Sequence, residues 1–129
     1  MQLQRTDDWY QQRLGKATAS RFSDVMAVIR SGEAASRRNY RAELVAERLT
    51  GTPTESYTSK EMQWGIDTEP LARLRYSLRT GNNIEECGFY AHAKMEAGAS
   101  PDGLLEDGGL VEIKCPNTAT RIDTLKPLS

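Results

Sequence analysis

The chain of 129 residues is the length of one ordinary domain, and its 38% hydrophobic and 27% charged residues read as one soluble fold with a single core. No apolar run approaches the roughly 18 residues that would cross a bilayer, and the polar opening "MQLQRTDDWYQQR" lacks a secretory h-region, so a cytoplasmic, membrane-free location is expected. A net charge of -1 gives no global pull toward nucleic acid, and two cysteines with one histidine exclude a structural zinc site, so any metal must be held by oxygen.

Helices are expected first and strands after them. In "TASRFSDVMAVI", Phe22, Val25, Met26 and Ile29 recur at helical spacing, predicting a short helix from about residue 19 with Thr18 or Ser20 as N-cap. "SRRNYRAELVAERLTG" aligns Tyr40, Leu44, Val45 and Leu49 on one stripe, with Gly51 as the stop. Arg30, Arg37, Arg38 and Arg41 cluster nearby, but Glu33, Glu43 and Glu47 lie among them, which favours a solvated helix face. "SKEMQWGIDTEPLARLRYSLRTG" predicts a longer helix ending at Gly81, and Pro70 predicts a kink or two abutting helices with Glu69 at the joint.

From residue 84 the period shortens. "IEECGFYA", "AGASPDGLLE" and "GLVEIKC" read as strands, the last two joined by a hairpin turn at "EDGG". Only 13 residues follow Pro116, too few for another helix plus another strand, so a three-stranded antiparallel meander is all the sheet expected.

The chemistry-bearing stretch is "SPDGLLEDGGLVEIKCP". Alternation on "LVEIKC" sends Glu112 and Lys114 to one face, and a turn at Asp107–Gly109 brings Asp102 opposite Glu112. Two carboxylates plus a backbone carbonyl are hard oxygen donors of the kind Mg²⁺ prefers, and a neighbouring lysine could orient or deprotonate a water and offset phosphate charge. An exposed strand with an ordinary Glu-x-Lys face is the plain alternative. His92 reads as structural or exposed, and Cys87 and Cys115 as reduced, partly buried residues.

The pattern Pro-Asp, nine residues, then Glu-x-Lys resembles the PD-(D/E)xK nuclease signature. Together with "DDWYQQRLGKATAS" and "MQWGIDTEPLAR", in that order, it resembles the phage λ exonuclease family, the YqaJ-type viral recombinases. That resemblance implies an α+β, restriction-endonuclease-like core in which N-terminal helices precede an antiparallel meander. It implies an Mg²⁺-dependent 5′-to-3′ exonuclease of double-stranded DNA ends, Mn²⁺ substituting, in a bacterial cytoplasm and of phage or prophage origin. A single-strand annealing protein is the implied partner and a homotrimer the implied assembly.

Carried over position by position, Asp102, Glu112 and the Ile113 carbonyl bind metal, Lys114 is the catalytic lysine, and Glu69 is a further acid of the same site. Arg13, Ser20 and Ser100 form the 5′-phosphate pocket; a helix starting near residue 19 would add free N–H groups to it. Arg30 matches a duplex-tracking arginine and Met62 an apolar wedge at the base pairs. Family members continue past the Glu-x-Lys strand with a helix, strands and a Gln-x-Gln segment that this sequence lacks. A shortened chain without those parts is therefore expected. Two other readings stay open: an inactive remnant that binds DNA ends, and an endonuclease on the same core.

Overall fold

In a computed structural model of the chain, residues 3–54 and 58–127 are described. In chain order the elements are α1 (Asp7–Arg13), β1 (Ala17–Thr18), a 3₁₀ turn (Ala19–Arg21), α2 (Phe22–Val25), β2 (Val28–Ile29), β3 (Gly32–Glu33) and α3 (Ala35–Thr50). Then come α4 (Lys60–Thr80), β4 (Ile84–Glu85), β5 (Tyr90–Ala91), β6 (Ala97–Ala99), β7 (Gly103–Leu105), β8 (Leu110–Val111) and α5 (Thr118–Leu125). They gather into two compact units, Met1–Glu55 with Glu86–Pro101 and Ser56–Glu85 with Asp102–Ser129.

In the first unit, α1 opens on Thr6, whose hydroxyl accepts the Trp9 N–H. β6 is the middle strand of a three-stranded sheet, parallel to β1 and antiparallel to β5. Arg21 ties the 3₁₀ turn to α3: its guanidinium pairs with both Glu43 oxygens at 3.1 and 3.3 Å and lies 4.1 Å over the Tyr40 ring. Tyr40 in turn accepts the Thr18 N–H at 3.1 Å, so the buried end of β1 is satisfied by a side chain of α3. Trp9, Ala34, Tyr40, Cys87 and Phe89 are the buried apolar residues here.

In the second unit, Ser59 caps α4 by accepting the Met62 N–H. β7 is the middle strand of an antiparallel sheet between β4 and β8. Ile84 is buried and packs where Gly103 leaves no side chain. Asn117 caps α5 by accepting the Thr120 N–H.

Several expectations hold and several are corrected. α3 and α4 end at Gly51 and Gly81, both in the left-handed conformation, as read from the sequence. The helix expected from residue 19 instead shrinks to a 3₁₀ turn and one turn of α2, neither capped by a side chain. Val28 and Ile29 are β-branched and pair with Gly32 and Glu33 in a hairpin, which takes Ile29 out of the helical stripe. Pro70 lies inside an uninterrupted α4, so Glu69 sits within a helix, not between two. "IEECGFYA" splits between two sheets, and the sheet inventory exceeds one antiparallel meander, because β1 joins β6 in parallel. The segment after Pro116 supplies a helix, α5, which the sequence reading did not expect.

Candidate active site

The hairpin β7–β8 sets the first cluster, which lies wholly in the second unit. Its turn closes through Leu105 N–H to Gly109 O at 2.8 Å, with Asp107 Oδ1 accepting the Gly109 N–H. Gly103 pairs with Val111 and Leu104 with Leu110, so the next pair outward in the same register is Asp102 with Glu112. Directly opposed residues of an antiparallel pair share a face, which is why two acids ten residues apart in sequence meet. Asp102 Oδ2 accepts the Ile113 N–H at 2.8 Å, and Lys114 Nζ donates to Glu112 Oε1 at 2.8 Å. The Glu112–Lys114 contact is solvent-exposed, the lysine 80% so, and on its own is worth about 0–1 kcal/mol.

The electrostatics are those of a crowded acid pair. Burial holds the Asp102 carboxyl above its ordinary range; the Ile113 hydrogen bond opposes this, and the neighbouring Glu112 adds to it. The hydrogen bond to Glu112 raises Lys114, which keeps it an ammonium donor at neutral pH. Facing carboxylates with hard oxygen donors, and a carboxyl whose charge is disfavoured until a cation arrives, fit a divalent metal of the Mg²⁺ class. Asp102, Glu112 and the Ile113 carbonyl would hold it. Among the described residues no group of three or more His, Cys, Asp or Glu side chains is arranged to bind a metal, so water or phosphate oxygens would complete the shell.

Glu69 is not a member of such a trio. It projects from α4, and its Oε1 accepts from Arg73 Nη2 at 2.7 Å; the same nitrogen donates to the Asp102 main-chain oxygen at 3.2 Å. Arg73 closes the "MQWGIDTEPLAR" block but carries no site role in the sequence reading, although an acid followed four residues later by a base on a helix is a legible pair.

The second cluster lies in the first unit. β1 and β6 run in parallel with Thr18 opposite Gly98, so Ser20 and Ser100, each two residues further on, leave the same end of the pair. Ser100 Oγ accepts from Trp9 Nε1 at 2.9 Å, and the Arg13 guanidinium lies 4.0 Å over the Trp9 ring. Ser20 is exposed, 3.4 Å from the Thr18 hydroxyl. Burial lowers the Arg13 guanidinium from its ordinary value without discharging it, and among the described residues no carboxylate forms an ion pair with it. A half-buried cation so placed suits an anion. The organiser is Trp9, another residue the sequence reading passed over; its position four before Arg13 on one helix was the available signal.

Other expectations separate from both clusters. Arg30 is exposed in the turn between β2 and β3, and Met62 is half exposed in the first turn of α4. His92 Nδ1 accepts the Lys94 and Met95 N–H groups, a turn-capping role. Cys87 is buried, with its Sγ 3.2 Å from the Pro101 carbonyl oxygen, and Cys115 is half-buried.

The YqaJ-like viral recombinase domain profile matches residues 8–127 of the chain. Two solved structures are similar to it: an alkaline exonuclease (LHK-Exo) from Laribacter hongkongensis, at 50% identity with TM-score 0.81, and LHK-Exo in complex with dAMP, at 51% with TM-score 0.82. In each case the match covers 95% of this chain and 61% of the solved one, so the chain spans less than two thirds of their length. No curated protein matches. The chain has the mixed helix-and-strand, PD-(D/E)xK-type fold of those structures and belongs to the YqaJ-like viral recombinase domain family.

Proposed function

We propose that the chain is a divalent-metal-dependent deoxyribonuclease that degrades double-stranded DNA from its ends in the 5′-to-3′ direction. The observation that carries this reading is the contact between the Asp102 and Glu112 carboxyl groups, with Lys114 hydrogen-bonded beside them, in a chain half identical to an alkaline exonuclease. When bound, the cation, Mg²⁺ or Mn²⁺, supplies Lewis-acid stabilisation of charge on the scissile phosphate. The Asp102 and Glu112 carboxylates fix its place, and the Ile113 N–H holds Asp102 in orientation. The Lys114 ammonium donates to the phosphate or to the attacking water, supplying positive charge where negative charge develops. Arg13, Ser20 and Ser100 receive the 5′-phosphate, with Trp9 orienting the last of these. Arg30 and Met62, both exposed, are proposed to touch the duplex.

The dAMP complex of the similar exonuclease supports a mononucleotide-releasing reaction. By the family resemblance the remaining strand passes to an annealing protein, and a homotrimer keeps the enzyme on its substrate. No helix among the described residues is long and apolar enough to cross a membrane, and action in the cytoplasm is proposed.

The test compares 5′-phosphorylated linear duplex, the same duplex with a 5′-hydroxyl, and closed circular DNA, each with Mg²⁺. Mononucleotide release from the phosphorylated linear form, slower from the hydroxyl form and absent from the circle, is expected. Cutting of circles would replace the exonuclease with an endonuclease; end binding without degradation in Mg²⁺ or Mn²⁺ would leave an inactive end-binding module.

A further inference from the structure

We propose that Arg73 is a positioning residue that sets the main chain at Asp102, and that Glu69 acts on the metal cluster through Arg73 and not as a ligand. This inference rests on the reading of Asp102 and Glu112 as the metal-holding pair. A single guanidinium nitrogen, Nη2, donates to the Glu69 carboxylate at 2.7 Å and to the Asp102 carbonyl at 3.2 Å. The two side chains are only 14% and 13% exposed, so their attraction is far less screened than that of the Glu112–Lys114 pair on the surface.

Asp102 precedes β7 at a bend, where the ladder of the sheet gives its carbonyl no regular partner. It is instead held from both ends: the side chain by the Ile113 N–H, the main chain by Arg73. A carboxylate fixed only through its side chain could swing with its peptide; fixing the peptide as well leaves little freedom in where Oδ1 and Oδ2 face Glu112. Glu69 in turn fixes Arg73, since one turn of α4 separates them. An acid committed to a nearly buried arginine is a poor metal ligand, because leaving the pair would strand a buried charge. The role expected of Glu69 in the site is thereby carried one residue further, by Arg73, the last residue of the "MQWGIDTEPLAR" block.

The experiment uses the full chain and two readouts: Mn²⁺ affinity by calorimetric titration, and amide hydrogen exchange at Ile113 without metal. Arg73→Gln should weaken Mn²⁺ binding about tenfold or more, the range typical when a partner that orients a ligand is removed, and should speed Ile113 exchange. Arg73→Lys, which keeps the charge, should restore part of both. Glu69→Gln should move both in the same direction, and the double variant should be no worse than Arg73→Gln alone. Wild-type exchange and affinity in Arg73→Lys and Arg73→Gln would overturn the proposal. So would Mn²⁺ loss in Glu69→Gln with none in Arg73→Gln, since that makes Glu69 a direct ligand. Should the wild-type chain bind no Mn²⁺, the metal reading of Asp102 and Glu112 fails, while Ile113 exchange still decides whether Arg73 holds Asp102.

Discussion

Gly98→Ala should destabilise the first unit and weaken recognition of the 5′-phosphate together. Gly98 is the middle residue of β6, paired with Thr18 of β1 on one side and Ala91 of β5 on the other. A Cβ there would stand 2.2 Å from Phe89 Cζ and 2.5 Å from the Tyr90 carbonyl oxygen. Phe89 is buried and has little room to turn, and the Tyr90 oxygen is backbone. Strand β6 must therefore shift by at least 0.5 Å to take that second contact from 2.5 Å to the 3.0 Å floor of real Cβ contacts. Overpacking of this kind costs about 1–3 kcal/mol. For a domain of this size that is roughly a 4–15 °C fall in melting temperature. Ser100 is two residues downstream, so the displacement should also disturb the Trp9 Nε1–Ser100 Oγ bond. The control is Gly65→Ala, in mid-α4 with nothing within 4 Å of the added carbon, which should stabilise by about 0.5–1 kcal/mol. Thermal melts followed by circular dichroism measure both, and a fluorescence titration with a 5′-phosphorylated duplex end measures the binding. A Gly98→Ala chain melting within about 1 °C of wild type would refute the close packing argued for β6.

Asp102→Asn should leave the metal-free chain as stable or slightly more so, by less than about 1 kcal/mol because solvent still reaches the half-buried group and screens it, while abolishing the melting-temperature rise caused by Mg²⁺. The sign follows from the raised Asp102 carboxyl: its charge costs the fold above its folded pKa, and the cost is relieved as pH falls through that value. Glu33 behaves oppositely: held low by its hydrogen bond to Arg41, it contributes stability at neutral pH that is lost as pH falls through its folded pKa. Arg41→Ala should therefore flatten the acid limb of a stability–pH profile and leave the neutral-to-alkaline part unchanged in slope. Trp9→Phe keeps a ring beneath Arg13 but removes the donor to Ser100; a loss of about 0.5–1.5 kcal/mol in unfolding free energy and a reduced preference for phosphorylated over hydroxyl ends are expected, with Mn²⁺ affinity unchanged.

The meeting of Asp102 with Glu112 was the most legible part of the chain, because both facts it needs are local. Strand alternation fixes the face of Glu112 and Lys114, and the Asp-Gly-Gly turn fixes how many residues back their partner lies. The ends of α3 and α4 were equally local, set by Gly51 and Gly81. What failed was of two kinds. Ile29 fits a helical stripe and a hairpin equally well by spacing, and only its pairing with Gly32 decides between them. The parallel partnership of Ala17 and Thr18 with Ala97 and Gly98 joins residues 80 apart, which leaves no mark in either segment, yet it is what brings the ends bearing Ser20 and Ser100 together. Pro70 left two readings open, a kinked helix or two abutting ones, and only the second is overturned. The residue is a strong local signal against a helix interior, but α4 runs for 21 residues through it, and the Glu69–Arg73 pair spans the proline.

The central claim is that Asp102, Glu112 and Lys114 form the hydrolytic site. It is tested most directly by the rate at which the purified chain degrades a linear, 5′-phosphorylated duplex in Mg²⁺, beside Asp102→Ala and Lys114→Ala prepared in the same way. Degradation by the wild-type chain that falls to background in both variants, with circular dichroism showing all three folded, is the predicted result. Degradation that persists in both variants would contradict the assignment.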